Sequence, residues 1–187
     1  MRSRRISNVI GFDDAPFERG EGGKVALVGT VCSGTRLDIV VRGHVEQDGS
    51  DATAVMAELV REKKLVHVRG VLIQGITVAG FNVVDINALA EELGVPVMVV
   101  MRRRPRMQKF FEALDQVKNA PEKRLLIERA GPIEPCAGLW VHRAGLSLEE
   151  GRELIERTTL HGAIPEPLRL AHIIAGGTTR GVSRGRA

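Results

Sequence analysis

The chain has 187 residues, of which 43% are hydrophobic and 27% are charged. This composition and length suit one globular core and argue against a disordered, collagen-like or disulfide-stapled chain. The 27 basic and 23 acidic residues give a net charge of +4, but six arginines lie in the first five and last eight residues. The basic character therefore belongs to the two ends of the chain, and the remainder is slightly acidic.

Cysteine usage and hydropathy indicate the compartment. Cys32 and Cys136 lie in unrelated segments without metal-ligand spacing, which is typical of reduced thiols in a cytoplasmic protein. The longest apolar run, residues 95–101, is far shorter than the roughly 18 residues of a membrane span, so no membrane partner is expected. We predict a single domain over residues 6–178, with basic tails over residues 1–5 and 179–187.

The first part of the chain predicts three antiparallel strands. Residues 6–12 form a short apolar run that ends in Asp13-Asp14-Ala15-Pro16, where acids and a proline favour the end of a strand. Residues 24–32 and 35–45 are rich in β-branched side chains and are separated only by Ser33-Gly34. This spacing predicts a β-hairpin.

The pattern then alternates between helices and strands. Apolar residues recur with helical spacing in residues 55–60, 86–93 and 107–117, whereas residues 68–73 and 96–101 are short apolar runs typical of buried parallel strands. This order is that of an α/β ribonuclease H-like mixed sheet, in which three antiparallel strands precede parallel ones and helices flank the sheet. Other mixed α/β sheets begin in the same way.

The last third predicts a strand, two helices and a tail. Residues 139–142 form the strand, and Ser147 with Glu150 fits a capping box that opens a helix. A second helix is expected to start at Pro165-Glu166-Pro167. The glycine-rich sequence from Gly176 onward predicts a mobile tail.

Several side chains are candidate ligands of a metal ion. A metal-dependent site that cleaves phosphodiesters needs several hard oxygen ligands, and the carboxyl ends of strands commonly carry such sites. Asp13 and Asp14 end the first strand, and Gln74 ends the fourth with an amide oxygen that adds no charge. Further candidates begin or precede helices: Asp48, Asp51 and Asp85. For these acids a role in a turn or a helix cap is the alternative.

Residues 75–82 are a candidate phosphate-binding loop. They follow the fourth strand and precede a helix, so their backbone N–H groups are able to face a phosphate. The candidate nucleic-acid contacts are Gly80, Phe81 and Asn82. The alternatives are a flexible connection and, for Phe81, a buried plug of the core instead of a ring that stacks on a base.

Arginines follow the fifth strand, at the sheet edge where Asp13 is expected. Guanidinium groups are suited to phosphate oxygens, and a solvated charged surface is the alternative. The four residues are Arg102, Arg103, Arg104 and Arg106. Elsewhere the five histidines show no zinc-ligand spacing, and the chain lacks a G-x-S-x-G nucleophile motif.

Longer motifs resemble a known family. Ile10-Gly11-Phe12-Asp13-Asp14 and Gly80-Phe81-Asn82-Val83-Val84-Asp85 closely resemble an uncharacterised, largely archaeal family related to endonuclease V, domain-of-unknown-function family ninety-nine. Residues 146–149 and 162–172 resemble the closing segment of endonuclease V itself. The resemblance covers residues 6–178 and implies a ribonuclease H-like fold. It also implies cleavage near deaminated purines with a divalent metal held by acids.

The resemblance places few of the enzyme's functional residues in this chain. Asp13 falls on its first-strand metal aspartate, whereas its strand-four aspartate falls on Gln74. Its lysine after strand five falls near Met101, and its histidine falls near Ala144. The glutamate of the enzyme has no clear counterpart in this chain, and Asp48 or Asp51 are the only candidates to replace it. The resemblance thus implies that the scaffold is kept and that the catalytic set is altered.

The predicted function is an endonuclease V-like protein that binds or acts on DNA or RNA, with an altered metal-dependent phosphodiesterase site. Asp13 would be the main metal ligand, Gln74 a neutral ligand, and Asp14 or Asp85 an auxiliary ligand or base. One Mg²⁺ or Mn²⁺ ion is expected rather than two, because acids are few. The alternatives are a non-catalytic nucleic-acid or nucleotide-binding module on the same fold, and a domain that binds a small molecule or a protein.

Overall fold

The computed structural model describes residues 6–18, 20 and 22–184. The predicted basic tail over residues 1–5 and the last three residues of the predicted C-terminal tail lie outside the described residues. None of the described helices is long and apolar enough to cross a membrane.

The described residues form nine strands in two sheets. The strands are β1 (Asn8–Asp14), β2 (Lys24–Ser33), β3 (Arg36–Glu46), β4 (Gly70–Gln74), β5 (Thr77–Val78), β6 (Asn82–Val83), β7 (Val97–Met101), β8 (Glu134–Cys136) and β9 (Leu139–Ala144). The main sheet has seven strands in the order β3-β2-β1-β4-β7-β9-β8, and β5 and β6 form a small hairpin of their own. β1 to β3 pair antiparallel, β4 pairs parallel with β1, and β7 pairs parallel with β4. The predicted mixed sheet is therefore confirmed.

In the part of the chain that the structure describes, six helices flank the sheet. They are α1 (Ala52–Glu62), α2 (Ile86–Leu93), α3 (Met107–Leu114), α4 (Ala120–Arg129), α5 (Leu148–Thr158) and α6 (Glu166–Arg180). The capping box predicted at the start of α5 is confirmed, because the Ser147 hydroxyl accepts the Glu150 N–H while the Glu150 carboxylate accepts the Ser147 N–H.

A close approach between α6 and β1 positions the functional side of the sheet. A Cβ atom on Gly11 would lie 2.5 Å from the carbonyl carbon of Pro167, so only glycine fits at that point of β1. The Thr30 hydroxyl donates a hydrogen bond to the Pro167 carbonyl at 2.5 Å and fixes the start of α6 over β2. The next turn of α6 then reaches the end of β1, where His172 contacts Asp13.

The structure differs from the sequence prediction at the C-terminus. The expected mobile tail from Gly176 is wrong, since α6 continues to Arg180 and buries Ala175 and Gly176. Packing against the sheet offsets the low helix propensity of glycine at this point. A further helix, α4, and the short β5–β6 hairpin are elements that the apolar pattern does not predict, since one is mostly polar and the other is very short.

Candidate active site

One row of paired residues crosses the sheet at the carboxyl end of β1. Asp13 pairs with Val28 on β2, and Val28 pairs with Arg42 on β3. On the other side, Phe12 pairs with Ile73 in the parallel register, so Asp13 and Gln74 follow as neighbours. Paired residues of neighbouring strands point to the same face of a sheet. The side chains in this row therefore face the side that α6 covers.

Asp13 and His172 form a hydrogen-bonded pair between β1 and α6. The distance from His172 Nδ1 to Asp13 Oδ2 is 2.8 Å, and the exposed fractions of the two side chains are 27% and 7%. An ionised carboxylate only accepts hydrogen bonds, so the imidazole Nδ1–H donates. The imidazole is thus partly exposed beside a buried carboxylate, and it also contacts the Arg184 backbone.

The environment changes the acidity of both partners. Burial raises the pKa of Asp13, although the hydrogen bond from His172 opposes this effect. The same hydrogen bond raises the pKa of His172. Both shifts favour a proton held between the two side chains.

Asp14 adds a second carboxylate at the end of β1. Its Oδ2 atom accepts the backbone N–H of Ala79 at 2.9 Å and so ties the loop after β4 to β1. Burial, reinforced by the charge of Asp13, raises the pKa of Asp14 to about 6. Two neighbouring buried carboxylates repel each other, and a cation between them would relieve that repulsion.

Gln74 supplies an oxygen atom that lacks a hydrogen-bond partner. Its Oε1 is buried, and among the described residues it is the one buried side-chain atom found without a partner. Leaving such an atom unpaired costs about 1–3 kcal/mol. Hard cations bind amide oxygens as well as carboxylates. The orphaned oxygen beside Asp13 therefore fits a site for one divalent ion.

The ligand set is unusual for a metal-dependent nuclease. Within the part of the chain that the structure describes, no group of three or more His, Cys, Asp or Glu side chains is placed to hold a metal ion. The available oxygens come from Asp13, Asp14 and Gln74. Two carboxylates and one neutral amide are enough to balance one divalent ion and too few for two.

The other acids support the loop that follows β4. Asp48 Oδ1 accepts the Phe81 N–H at 2.7 Å, and the Asp48 carboxylate occupies the space that a Cβ on Gly80 would need. The Asn82 amide nitrogen donates to Asp51 Oδ1 at 2.6 Å and its oxygen accepts the Ala52 N–H at 3.0 Å. These contacts are structural and hold the loop in one conformation.

The predicted nucleic-acid contacts in this loop differ in their exposure. Asn82 has no exposed surface, so it braces the loop from within instead of presenting its amide to a ligand. Phe81 is partly buried and packs edge-on against Phe110, with ring centroids 5.5 Å apart. Phe81 therefore packs against the core while part of its surface stays exposed. Gly80, the third predicted contact, has no side chain and offers only its backbone to a ligand.

Asp85 caps a helix. Its Oδ1 atom accepts the N–H groups of Asn87 and Ala88 at 3.1 and 3.0 Å, and its Oδ2 atom lies 3.7 Å from Arg129. These contacts fix the first turn of α2. The structure does not bring the carboxylate of Asp85 into contact with Asp13 or Asp14, and its capping role matches the alternative noted from the sequence.

The arginines after β7 remain on the surface beside the row. Val100 pairs with Gln74, so Arg102 and Arg103 follow directly after the strand next to β4. Both line an open cavity of about 480 Å³ together with Leu139. Arg104 stacks over Trp140, with its guanidinium carbon 5.2 Å from the ring centroid. All four predicted arginines, including Arg106, are exposed.

The match to the family is nearly complete along the chain. The family model described as endonuclease dU matches residues 5–179. The chain belongs to the endonuclease dU family. A UPF0215 protein of Deinococcus radiodurans is 50% identical over 183 residues, which cover 97% of this chain and 94% of the relative. The prediction of an uncharacterised family related to endonuclease V is confirmed.

Solved structures with the same fold include a protein of unknown function from Archaeoglobus fulgidus. It has a TM-score of 0.85 and 33% identity, and the match covers 90% of this chain and 96% of that one. The catalytic domain of human endonuclease V has a TM-score of 0.61 and 17% identity, with 95% and 84% covered. The latter similarity confirms the predicted endonuclease V-like fold.

The structure adds His172, which the sequence alone does not single out, to the site. The histidine of endonuclease V falls near Ala144, which pairs with Val97 at the start of β7, at the end of the strands opposite to Asp13. His172 comes from α6 instead. The sequence feature that indicates the orientation of His172 is its place next to Ala171 and near Ala175, two residues that α6 buries.

Proposed function

We propose that this member of the endonuclease dU family is a metal-dependent endonuclease that cleaves DNA at or near deoxyuridine. The family description and the endonuclease V-like fold support this proposal. The observation that carries it is the buried, unpartnered Oε1 of Gln74 next to the Asp13–His172 pair. A carboxylate, a neutral oxygen and an imidazole that holds a proton together suit the binding of a divalent ion and the transfer of a proton in hydrolysis.

Asp13, Asp14 and Gln74 would hold one Mg²⁺ or Mn²⁺ ion through their oxygens. When bound, such an ion supplies Lewis-acid stabilisation of the scissile phosphate and a lower pKa for an attacking water. Asp14 also ties the loop after β4 to β1 through the Ala79 N–H, so the ligand and the loop are fixed together.

His172 would hold and move the proton of the reaction. Its Nδ1 atom is fixed by Asp13, which orients the imidazole and favours its protonated form. The ring would then donate a proton to the oxygen that leaves the phosphate, in place of its contact with the Arg184 backbone. Arg102 and Arg103, exposed beside the row, would bind phosphates of the same strand.

The test is a cleavage assay with matched oligonucleotides. One oligonucleotide carries a central deoxyuridine and its control carries thymidine, and each is incubated with Mg²⁺, Mn²⁺ or EDTA. We expect strand cleavage of the deoxyuridine substrate that requires the metal and is abolished in Asp13→Asn. Cleavage that persists in Asp13→Asn, or no cleavage of any substrate with either metal, would overturn the proposal.

A second candidate function is nucleic-acid binding without cleavage. The described residues hold no third acidic ligand near Asp13 and Asp14, which favours a binding role over a strongly charged metal centre. This candidate predicts binding that depends on salt and is unchanged by EDTA. The same assay separates the two, because the binding module leaves the deoxyuridine strand intact under every metal condition.

A further inference from the structure

An exposed strip of β3 lies beside the proposed site. β3 is the outermost strand of the sheet, and its residues on the face of α6 are open to solvent because α6 packs mainly on β1 and β2. Arg42 is exposed in this strip and forms no ion pair with any residue that the structure describes. By contrast, Arg36 on the same strand pairs with Asp38 at 2.8 Å.

The register fixes where Arg42 lies relative to the site. Arg42 pairs with Val28, and Val28 pairs with Asp13, so Arg42 and Asp13 occupy one row and face the same side. Two strand spacings separate them, or about 10 Å. His44 follows on the same face of β3, toward the carboxyl end of β1, because its partner Ala26 bonds to Ala15.

The row therefore has cationic side chains at both ends. From Asp13 it runs across β2 to Arg42 in one direction, and across β4 to the end of β7 in the other. Arg102 and Arg103 follow β7 at that second end. The residues that separate Asp13 from these ends, Val28 on one side and Gln74 and Val100 on the other, carry no charge. A polyanion laid across the sheet edge would meet a guanidinium on each side of the carboxylates.

We propose that Arg42 binds a phosphate of the DNA strand on the side of the cleavage site opposite to Arg102 and Arg103. The strand then crosses the sheet edge from β3 to β7, perpendicular to the β-strands. This inference rests on the proposed function, because it takes the substrate to be a DNA strand. A separation of about 10 Å corresponds to about three nucleotides of a stacked strand, at about 3.4 Å each.

The first test measures binding without cleavage. The probe is a fluorescent single-stranded oligonucleotide with one central deoxyuridine, in EDTA, over a range of NaCl concentrations. We expect Arg42→Ala to weaken binding about five- to eightfold near 0.1 M salt and to reduce the slope of log K against log salt by about 0.7–0.9. The matched control, Arg36→Ala, removes the same charge from the same strand and stays within twofold of wild type.

The second test locates the phosphate. A series of the same oligonucleotide carries one neutral methylphosphonate linkage at successive positions on both sides of the deoxyuridine. We expect the affinity of wild type to fall when the neutral linkage is at either of two positions. At one of them the neutral linkage should not change the affinity of Arg42→Ala, and at the other it should not change the affinity of Arg103→Ala. The two positions should lie on opposite sides of the deoxyuridine.

These outcomes separate the inference from the proposed function. Equal binding by Arg42→Ala and Arg36→Ala, positions on the same side of the deoxyuridine, or no binding by wild type would each overturn the role of Arg42. Wild-type protein that binds through Arg42 but cleaves nothing would overturn the nuclease and leave the strand path in place. If wild type cleaves the deoxyuridine strand and Arg42→Ala binds it as tightly as wild type does, the role of Arg42 is overturned and the nuclease proposal stands.

Discussion

Two sets of acids lie near the loop after β4, and their hydrogen bonds differ. Asp48, Asp51 and Asp85 each accept backbone or amide N–H groups and hold turns or a helix end. Asp14 also accepts a backbone N–H, from Ala79, but it is crowded against Asp13 at the end of β1, and burial raises the pKa values of both. The first set stabilises the fold, whereas the second set costs stability. Side chains that cost stability are those expected to serve function.

The largest effect should come from the buried pair between β1 and α6. Asp13→Asn keeps the size of the side chain but removes the charge that holds a metal ion and the proton of His172. We expect cleavage of deoxyuridine DNA to fall about 10³-fold or more, with the fold retained. Gel-based cleavage rates and circular dichroism of both proteins check this, with Asp38→Asn on β3 as the control. Loss of folding in Asp13→Asn would contradict a purely functional role.

The largest loss of stability should come from the loop support. Asn82→Ala removes a buried amide that bonds to Ala52, Glu46 and Asp51, and it leaves their polar groups unpaired. We expect the free energy of unfolding to fall by about 2–4 kcal/mol in urea titrations. The control is Asn87→Ala, whose amide is exposed and bonds only to a surface carbonyl, and which should cost less than about 1 kcal/mol.

Asp14→Asn should stabilise the metal-free protein. The pKa of Asp14 is about 6 in the folded state and 3.8 ordinarily, so the folded state binds its proton more tightly than the unfolded state does. Ionisation therefore costs stability, fully above pH 6 and not at all well below pH 3.8. Asparagine keeps the acceptor for Ala79 without the charge.

In EDTA at pH 7, Asp14→Asn should raise the free energy of unfolding by about 1–3 kcal/mol, and the gain should vanish near pH 3. Urea titrations at the two pH values measure it. An equal gain at both values would show that the charge of Asp14 is not its cause.

The smallest effects are expected at Asp85. Asp85→Asn retains a good capping side chain, so the stability should stay close to that of wild type and the cleavage rate within twofold of it. Asp85→Ala should lower the free energy of unfolding by about 1 kcal/mol and leave the cleavage rate unchanged. Thermal unfolding and cleavage rates of the two variants decide this. A large loss of cleavage in Asp85→Asn would restore Asp85 as a catalytic residue, as the sequence alone predicts.

The sequence predicts the fold better than the site. Alternation and helical spacing identify the strands and helices because burial on one face is a local, periodic property. The positions of Asp13 and Gln74 at strand ends follow from the same pattern. What the pattern leaves out is contact across the chain, since His172 lies 159 residues from Asp13 and meets it only because Gly11 admits α6.

Hydrogen bonding explains the remaining differences. The sequence places Asp13 at the end of a strand and Asp85 at the start of a helix, but whether an acid is a cap or a ligand depends on which N–H groups reach it in the folded protein. The helical course of α6 past Gly176 depends on packing against β1 and β2. Both properties arise only in the folded protein.

The central claim is that Asp13 and Gln74 hold a divalent ion, and calorimetry tests it most directly. Mn²⁺ is titrated at neutral pH and low salt into wild type, Asp13→Asn, Gln74→Leu and Asp85→Asn, each with a deoxyuridine oligonucleotide that carries a non-cleavable linkage. We predict one site per chain in wild type and Asp85→Asn, no binding in Asp13→Asn, and binding at least tenfold weaker in Gln74→Leu. Unchanged Mn²⁺ affinity in Asp13→Asn and Gln74→Leu, or no binding in wild type, would contradict the claim.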